Sequence, residues 1–232
     1  MQKSILSIFS IILLSFNLVA QDGCSTYYPM TEGSSFEYTS YNKKGKVESV
    51  ANYLVSSVTT EGSATIATLD FKISDKKGKE LFESNYSYTC ENDIVKIDFK
   101  SLFPAEMMNQ YSEMDVEMDI SGIDIEIPNN LEVGQELSDA NVAINMNMSG
   151  IKMNFTVDQT ERKVEKKESI TNAVGSFDCF VITEKTRSKA MGVNMEVTSK
   201  IWLAKGVGVI KQETYKKNGD LISSTALTKY SK

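Results

Sequence analysis

Histidine is absent from all 232 residues, and no other absence removes as much chemistry. Ser-His-Asp and Cys-His nucleophile systems need an imidazole base, and many zinc centres need the same ring as a ligand. Proline is scarce, with 3 in the chain, and tryptophan occurs once. Beyond residue 20 no apolar run approaches the roughly 20 residues of a membrane-spanning helix. A basic excess is also missing, because acids outnumber Lys and Arg by 31 to 25. Nucleic acid is therefore excluded as an expected partner, since its phosphates call for a net basic footprint. What remains is an ordinary globular composition, 41% hydrophobic and 24% charged, with a mean hydropathy of -0.24.

Residues 1–20 read as an export signal. Lys3 supplies the positive start, 5–16 the short apolar stretch, and Leu18-Val19-Ala20 a small residue before the cut. The mature chain is expected to begin at Gln21, with no transmembrane span, in the periplasm or at the cell surface or secreted. Lys3 is the only charge in that segment, so residues 21–232 carry 24 basic against 31 acidic groups, a net charge of -7. Lipoprotein processing calls for a small or aliphatic tripeptide before Cys24, and Gln21-Asp22-Gly23 stands there instead. Cys24, Cys90 and Cys179 all lie beyond the signal in an oxidising compartment, so one disulfide and one free thiol are expected. Three pairings are open.

From Phe36 to Phe99 short β-prone runs alternate with polar turns at Asn42-Lys43-Lys44-Gly45, Glu61-Gly62, Asp75-Lys76-Lys77-Gly78 and Asn92-Asp93. Turn signals every 8–15 residues, with Tyr, Val, Ile, Thr and Phe between them, predict an antiparallel meander. One short helix is predicted over 104–111. Four more strands are expected after Phe177, joined at Lys189-Ala190, Ala204-Lys205-Gly206 and Lys217-Asn218-Gly219.

An internal repeat offset by 28 residues occupies the middle of the chain. Met114, Val116, Met118 and Ile120 alternate with acids, Ser121-Gly122 intervenes, and Ile123, Ile125 and Ile127 follow in the opposite phase. The second copy runs Val142, Ile144, Met146, Met148, then Ser149-Gly150, then Ile151, Met153 and Phe155. A two-residue hairpin requires that phase change, and it would pair Met118 with Ile125 and Met146 with Met153; a bulge at the glycine would also keep one face apolar.

The run Gly175-Ser176-Phe177-Asp178-Cys179-Phe180, the segment from Ile201-Trp202-Leu203-Ala204-Lys205-Gly206 to Glu213, and the Met-rich repeat ending in Pro128 resemble the TapB-like family. Its members are exported, β-rich bacterial proteins of unknown function. The resemblance implies location and fold, and it brings no catalytic residues.

Three constellations are candidate sites. The stripe Asp115, Glu117, Asp119, Asp124 and Glu126 places like charges opposite each other in the hairpin register, which a Ca²⁺ ion would relieve. A solvated face is the preferred reading, because a flat strand surface makes a poor oxygen cage. Met114, Met118, Met146, Met148 and Met153, with Met191 and Met195, lie on apolar strand positions where a pliable thioether face could take an apolar ligand; core filling is the commoner use. Trp202 is expected to be a core anchor or, less commonly, a ligand platform. The Lys-Lys-Gly-Lys tips suit anionic lipid headgroups if they gather at one end, with solvated turns as the default.

The expectation is therefore an all-β protein, an antiparallel meander of hairpins forming a curved or rolled sheet, sandwich or open barrel, with at most one short helix. It would form one domain over 21–232, divisible into two sub-sheets near 100–140. Its expected role is a non-enzymatic binding or scaffolding module of the cell envelope, with no cofactor and an envelope protein or lipid as partner. The alternative is a periplasmic carrier of a lipid or other apolar ligand on the Met-lined face. The long alternating runs favour a closed core over a pocket.

Overall fold

The computed structural model describes residues 24–97, 116–148, 150–190 and 192–232. The export signal, the 104–111 helix, Met114, Asp115 and Met191 lie outside them. Thirteen strands run β1 Ser35–Asn42, β2 Val47–Glu61, β3 Ala64–Asp75, β4 Glu80–Glu91, β5 Ile94–Ile97, β6 Val116–Ile123 and β7 Ile125–Pro128. The remainder are β8 Ala140–Met148, β9 Ile151–Thr171, β10 Ser176–Ala190, β11 Val193–Ala204, β12 Gly208–Lys216 and β13 Leu221–Ser231. All belong to one antiparallel sheet, ordered β6-β8-β9-β10-β11-β12-β13-β1-β2-β3-β4-β5-β7. It curls into a nearly closed barrel.

Closure follows from a change of partner. β6 and β7 are consecutive in the chain, separated by Asp124, yet they lie at opposite edges of the sheet. One nearly continuous segment thus pairs first with β8 and then with β5, bringing the two edges together. This corrects the expected hairpin at Ser121-Gly122: Met118 pairs with Met146 and Ile120 with Ile144, while Ile125 pairs with Ile97. The strand passes straight through Gly122, a position where β8 lies too close for any side chain. A Cβ there would sit 2.1 Å from the Asn141 carbonyl oxygen. At the second repeat β8 and β9 do form the expected hairpin, pairing Met146 with Met153.

The Lys-rich turns share one construction. Asn42, Asp75 and Lys216 each accept from the glycine three residues on and donate their amide to the carbonyl four residues on. The Oδ1 atoms of Asn42 and Asp75 also accept amides within their own turns. Gly45, Gly78 and Gly219 hold φ of 70°, 81° and 86°, which side chains adopt with difficulty. At Asn92-Asp93 both residues have positive φ, as a two-residue hairpin with the right-handed twist of its strands demands.

The inner face carries the core. Val55, Leu69, Tyr88, Val95, Val164, Ile182, Leu203 and Leu227 are buried from all around the barrel. Residues 24–34 cross one end. Cys24 is disulfide-bonded to Cys90 on β4, Gly206 donates to the Thr26 carbonyl, Val55 donates to that of Ser34, and the Asn129 side chain bonds Thr26 and Cys24. Tyr27 is buried against Phe180 of β10 at 6.2 Å. Partners on so many strands mark this segment as a plug. Of the three pairings left open by sequence, Cys24–Cys90 is the one formed, and Cys179 is a buried free thiol.

Candidate functional site

Inward positions on β1 to β4 are rich in aromatic residues. Tyr230 stands opposite Phe36, Phe36 opposite Tyr53, and Tyr53 opposite Phe71 in the strand register. Their rings form a row, with Phe36 and Tyr230 stacked at 5.2 Å and Tyr53 and Phe71 at 5.5 Å. Tyr38 and Tyr86 pack edge-on against Tyr53, and Tyr28 of the plug lies 5.7 Å from Tyr88. The rings carried by β1, β2 and β4 stand around one shared space. They leave a cavity of about 410 Å³ lined by Phe36, Tyr38, Tyr53, Tyr86 and Tyr88, with Ser49 and Gln212 among its polar neighbours. The closed core expected from strand alternation is thus realised only in part. Alternation reports which side chains face inward, whereas the space left over depends on barrel diameter and ring shape.

Burial governs the electrostatics of this lumen. It pushes the Tyr28 hydroxyl up to about 12, against the pull of the Arg162 charge. It holds Tyr38, Tyr86 and Tyr88 well above the usual phenol range and raises Tyr53. All five are neutral hydrogen-bonding groups at physiological pH. Tyr38 donates to the Val209 carbonyl at 2.9 Å and Tyr88 to that of Pro29. The hydroxyls of Tyr53 and Tyr86 have no hydrogen bond among the described residues. The lumen therefore offers apolar walls and two polar handles.

The barrel seam is held by a buried ion pair. Glu161 adopts φ 52° at a register break between β9 and β10. On one side of the break Val157 and Gln159 share the face of Val142 and Ala140; beyond it Arg162 and Val164 turn inward and are buried. Arg162 Nε lies 3.4 Å from Glu184 Oε2, and Nη1 donates to the carbonyls of Ser138 at 2.6 Å and Glu126 at 3.4 Å. Burial raises the Glu184 carboxyl above the usual carboxylate range, although Arg162 lowers it. The bonds of Arg162 to β7 and to the chain before β8 tie one sheet edge, β7, to β9. Neither residue was singled out by sequence, since both sit in alternating charged runs that read as solvated.

The residues that were singled out have other surroundings. Met118, Met146 and Met153 form a cross-strand row on β6, β8 and β9, all half-buried, well away from the tyrosine lumen. Met148 ends β8, and Met195 is 58% exposed. Trp202 is buried, donating to Glu168 Oε2 at 2.8 Å beneath the Lys211 ammonium at 4.7 Å. Glu117 accepts from Asn147, Asp119 pairs in register with Asn145, and Glu126 bonds Lys96 at 3.2 Å. Asp124 is the residue at which β6 gives way to β7. The like-charge oppositions expected from the hairpin register are therefore not formed. No group of three or more metal-ligating side chains occurs among the described residues. Burial pushes the Cys179 thiol up to about 11, far from the thiolate that nucleophilic chemistry needs.

An antiparallel barrel with a partly open cavity, crossed at one end by residues 24–34, defines the class as a lumen-bearing β domain. More narrowly, the chain belongs to the DUF3108-like family, whose model matches residues 31–227. A protein from Bacteroides fragilis described as exported and YmcC-like in fold superposes with a TM-score of 0.71 at 18% identity, covering 90% of this chain and 100% of that chain. A protein from Parabacteroides distasonis described as a lipoprotein superposes with a TM-score of 0.71 at 24% identity, covering 89% and 99%. Both show the same fold. No curated protein matches the chain. No helix among the described residues is long and apolar enough to cross a membrane.

Proposed function

We propose that the protein is a non-enzymatic binding module of the cell envelope whose lumen holds an apolar or amphipathic small molecule. The observation that carries this reading is the cavity of about 410 Å³ among aromatic rings, a volume within the range of small-molecule sites. The tyrosine hydroxyls and Ser49 would orient a ligand bearing one or two hydrogen-bonding groups. The reading moves the ligand site of the carrier hypothesis from the methionine row to the tyrosines. Export to the periplasm or cell surface agrees with the fold relatives described as exported or as lipoproteins, and with the resemblance to TapB-like proteins.

Native mass spectrometry of protein purified from its own envelope tests the reading. A discrete adduct is expected, and Ala51→Trp, which projects an indole into the cavity, should remove it while the barrel still folds. Bare protein from the envelope, or an adduct that survives Ala51→Trp, would count against the lumen.

A further inference from the structure

The hairpin register gathers five turns at one end of the barrel: those joining β1 to β2, β3 to β4, β8 to β9, β10 to β11 and β12 to β13. The plug and the turns joining β2 to β3, β4 to β5, β9 to β10 and β11 to β12 lie at the other. This arrangement separates charge. The turns 42–47, 75–80 and 216–220 contain eight lysines against three acids, in a chain whose net charge is -6. All eight lysines are exposed, and none forms an ion pair among the described residues. The opposite end carries Glu61 at the end of β2 and Asp93, Glu132, Glu136 and Asp139 on its loops, with Lys205 and Lys232 as basic neighbours.

The same basic end exposes apolar side chains at its turns. Ile151 is 61% exposed, Val193 70% and Leu81 59%, each at the first residue or two of a strand leaving this end. A soluble acidic partner would satisfy the lysines and leave these groups in water. A bilayer surface takes both, since lysines attract anionic headgroups while short apolar side chains enter the interface.

We propose that the lysine-rich end of the barrel docks on an anionic lipid surface through turns 42–47, 75–80 and 216–220, with Leu81, Ile151 and Val193 entering the interface. The plugged, acidic end faces away from the membrane. This docking is independent of lumen occupancy, so either proposal can fail alone.

Flotation with vesicles tests it. The mature chain should bind vesicles of phosphatidylglycerol mixed with phosphatidylcholine, should bind phosphatidylcholine alone weakly, and should be released by high salt. Each lysine replaced should weaken partitioning about fivefold. The quadruple variant Lys43→Gln, Lys44→Gln, Lys76→Gln, Lys77→Gln should therefore lose roughly several hundredfold. Val193→Ser with Leu81→Ser should weaken binding at fixed salt and leave its salt dependence unchanged. Lys205→Gln with Lys232→Gln, at the opposite end, should change nothing. All these positions are exposed, so thermal melts should remain as in the parent chain. Equal binding to neutral vesicles, failure to bind anionic ones, or equal losses from the two lysine sets would overturn the proposal. Tight binding to a soluble acidic polymer that ignores Val193→Ser and Leu81→Ser would assign the surface to a polyanion instead.

Discussion

Replacing Arg162 with Leu removes the positive charge from the barrel seam and leaves Glu184 behind it. Both side chains are almost fully buried, at 2% and 5% exposure, so solvent cannot take over the role of the lost partner. Breaking a buried pair from one side costs about 3–5 kcal/mol, and here the carbonyls of Ser138 and Glu126 lose their donor as well. Against a domain stability of about 5–15 kcal/mol this is a large fraction, equivalent to a fall in Tm of roughly 10 °C for a chain of this size. The loss should also depend on pH. Burial already raises the folded-state pKa of Glu184, and removing Arg162 raises it further. Its neutral form is then the one the fold accepts. Stability should be greatest below the unfolded-state value and decline as pH rises through the raised folded-state value. Denaturant melts across that range, on Arg162→Leu and on Arg162→Leu with Glu184→Leu, measure both effects. The double variant should recover most of the loss and should lose the pH dependence. A single variant within about 1 kcal/mol of the parent, or a double variant no better than the single, would refute the assignment of the pair as a seam lock.

Cys24→Ser should destabilise by about 4 kcal/mol, because the Cys24–Cys90 bond closes a 66-residue separation; melts with and without reductant should converge on this variant. Gly122→Ala should destabilise by about 2 kcal/mol or more and selectively increase amide exchange in β6 and β8, since the new methyl meets the Asn141 carbonyl. Ultraviolet titration of tyrosinate should show Tyr28, Tyr38, Tyr86 and Tyr88 ionising above the usual phenol value or only on unfolding. Their burial stabilises the fold below about pH 10, and that contribution fades as pH rises through the elevated values.

The strand order was legible where turn chemistry is local. Asn42-Lys43-Lys44-Gly45 and Asn92-Asp93 each impose a backbone that returns the chain on itself, and each does so. The two Ser-Gly pairs show where that reasoning ends. Between β8 and β9 the change of apolar phase marks a hairpin. At Ser121-Gly122 the same change marks a strand that keeps going and exchanges β8 for β5 at Asp124, an event governed by barrel closure. The lumen was hidden for a related reason. Tyr38, Tyr53, Tyr86 and Tyr88 come from β1, β2 and β4, and no local turn signal announces that their rings converge. The tyrosines at alternating positions on β1, β2 and β4 were the available signal. Methionines drew attention instead because they cluster in sequence, yet Met118, Met146 and Met153 form a row beside the seam. The Arg162–Glu184 pair depends on one irregular residue, Glu161, whose positive φ no pattern of hydrophobicity forecasts.

Titration of delipidated protein with a fluorescent fatty acid tests the lumen most directly. The probe's own emission is the signal to follow, because Trp202 is packed against Glu168 and Lys211 and reports poorly on the tyrosines. Saturable binding should be lost in Ala51→Trp and retained in Met146→Trp, with both variants folded. Binding abolished by Met146→Trp and untouched by Ala51→Trp would contradict the account and return the ligand to the methionine face.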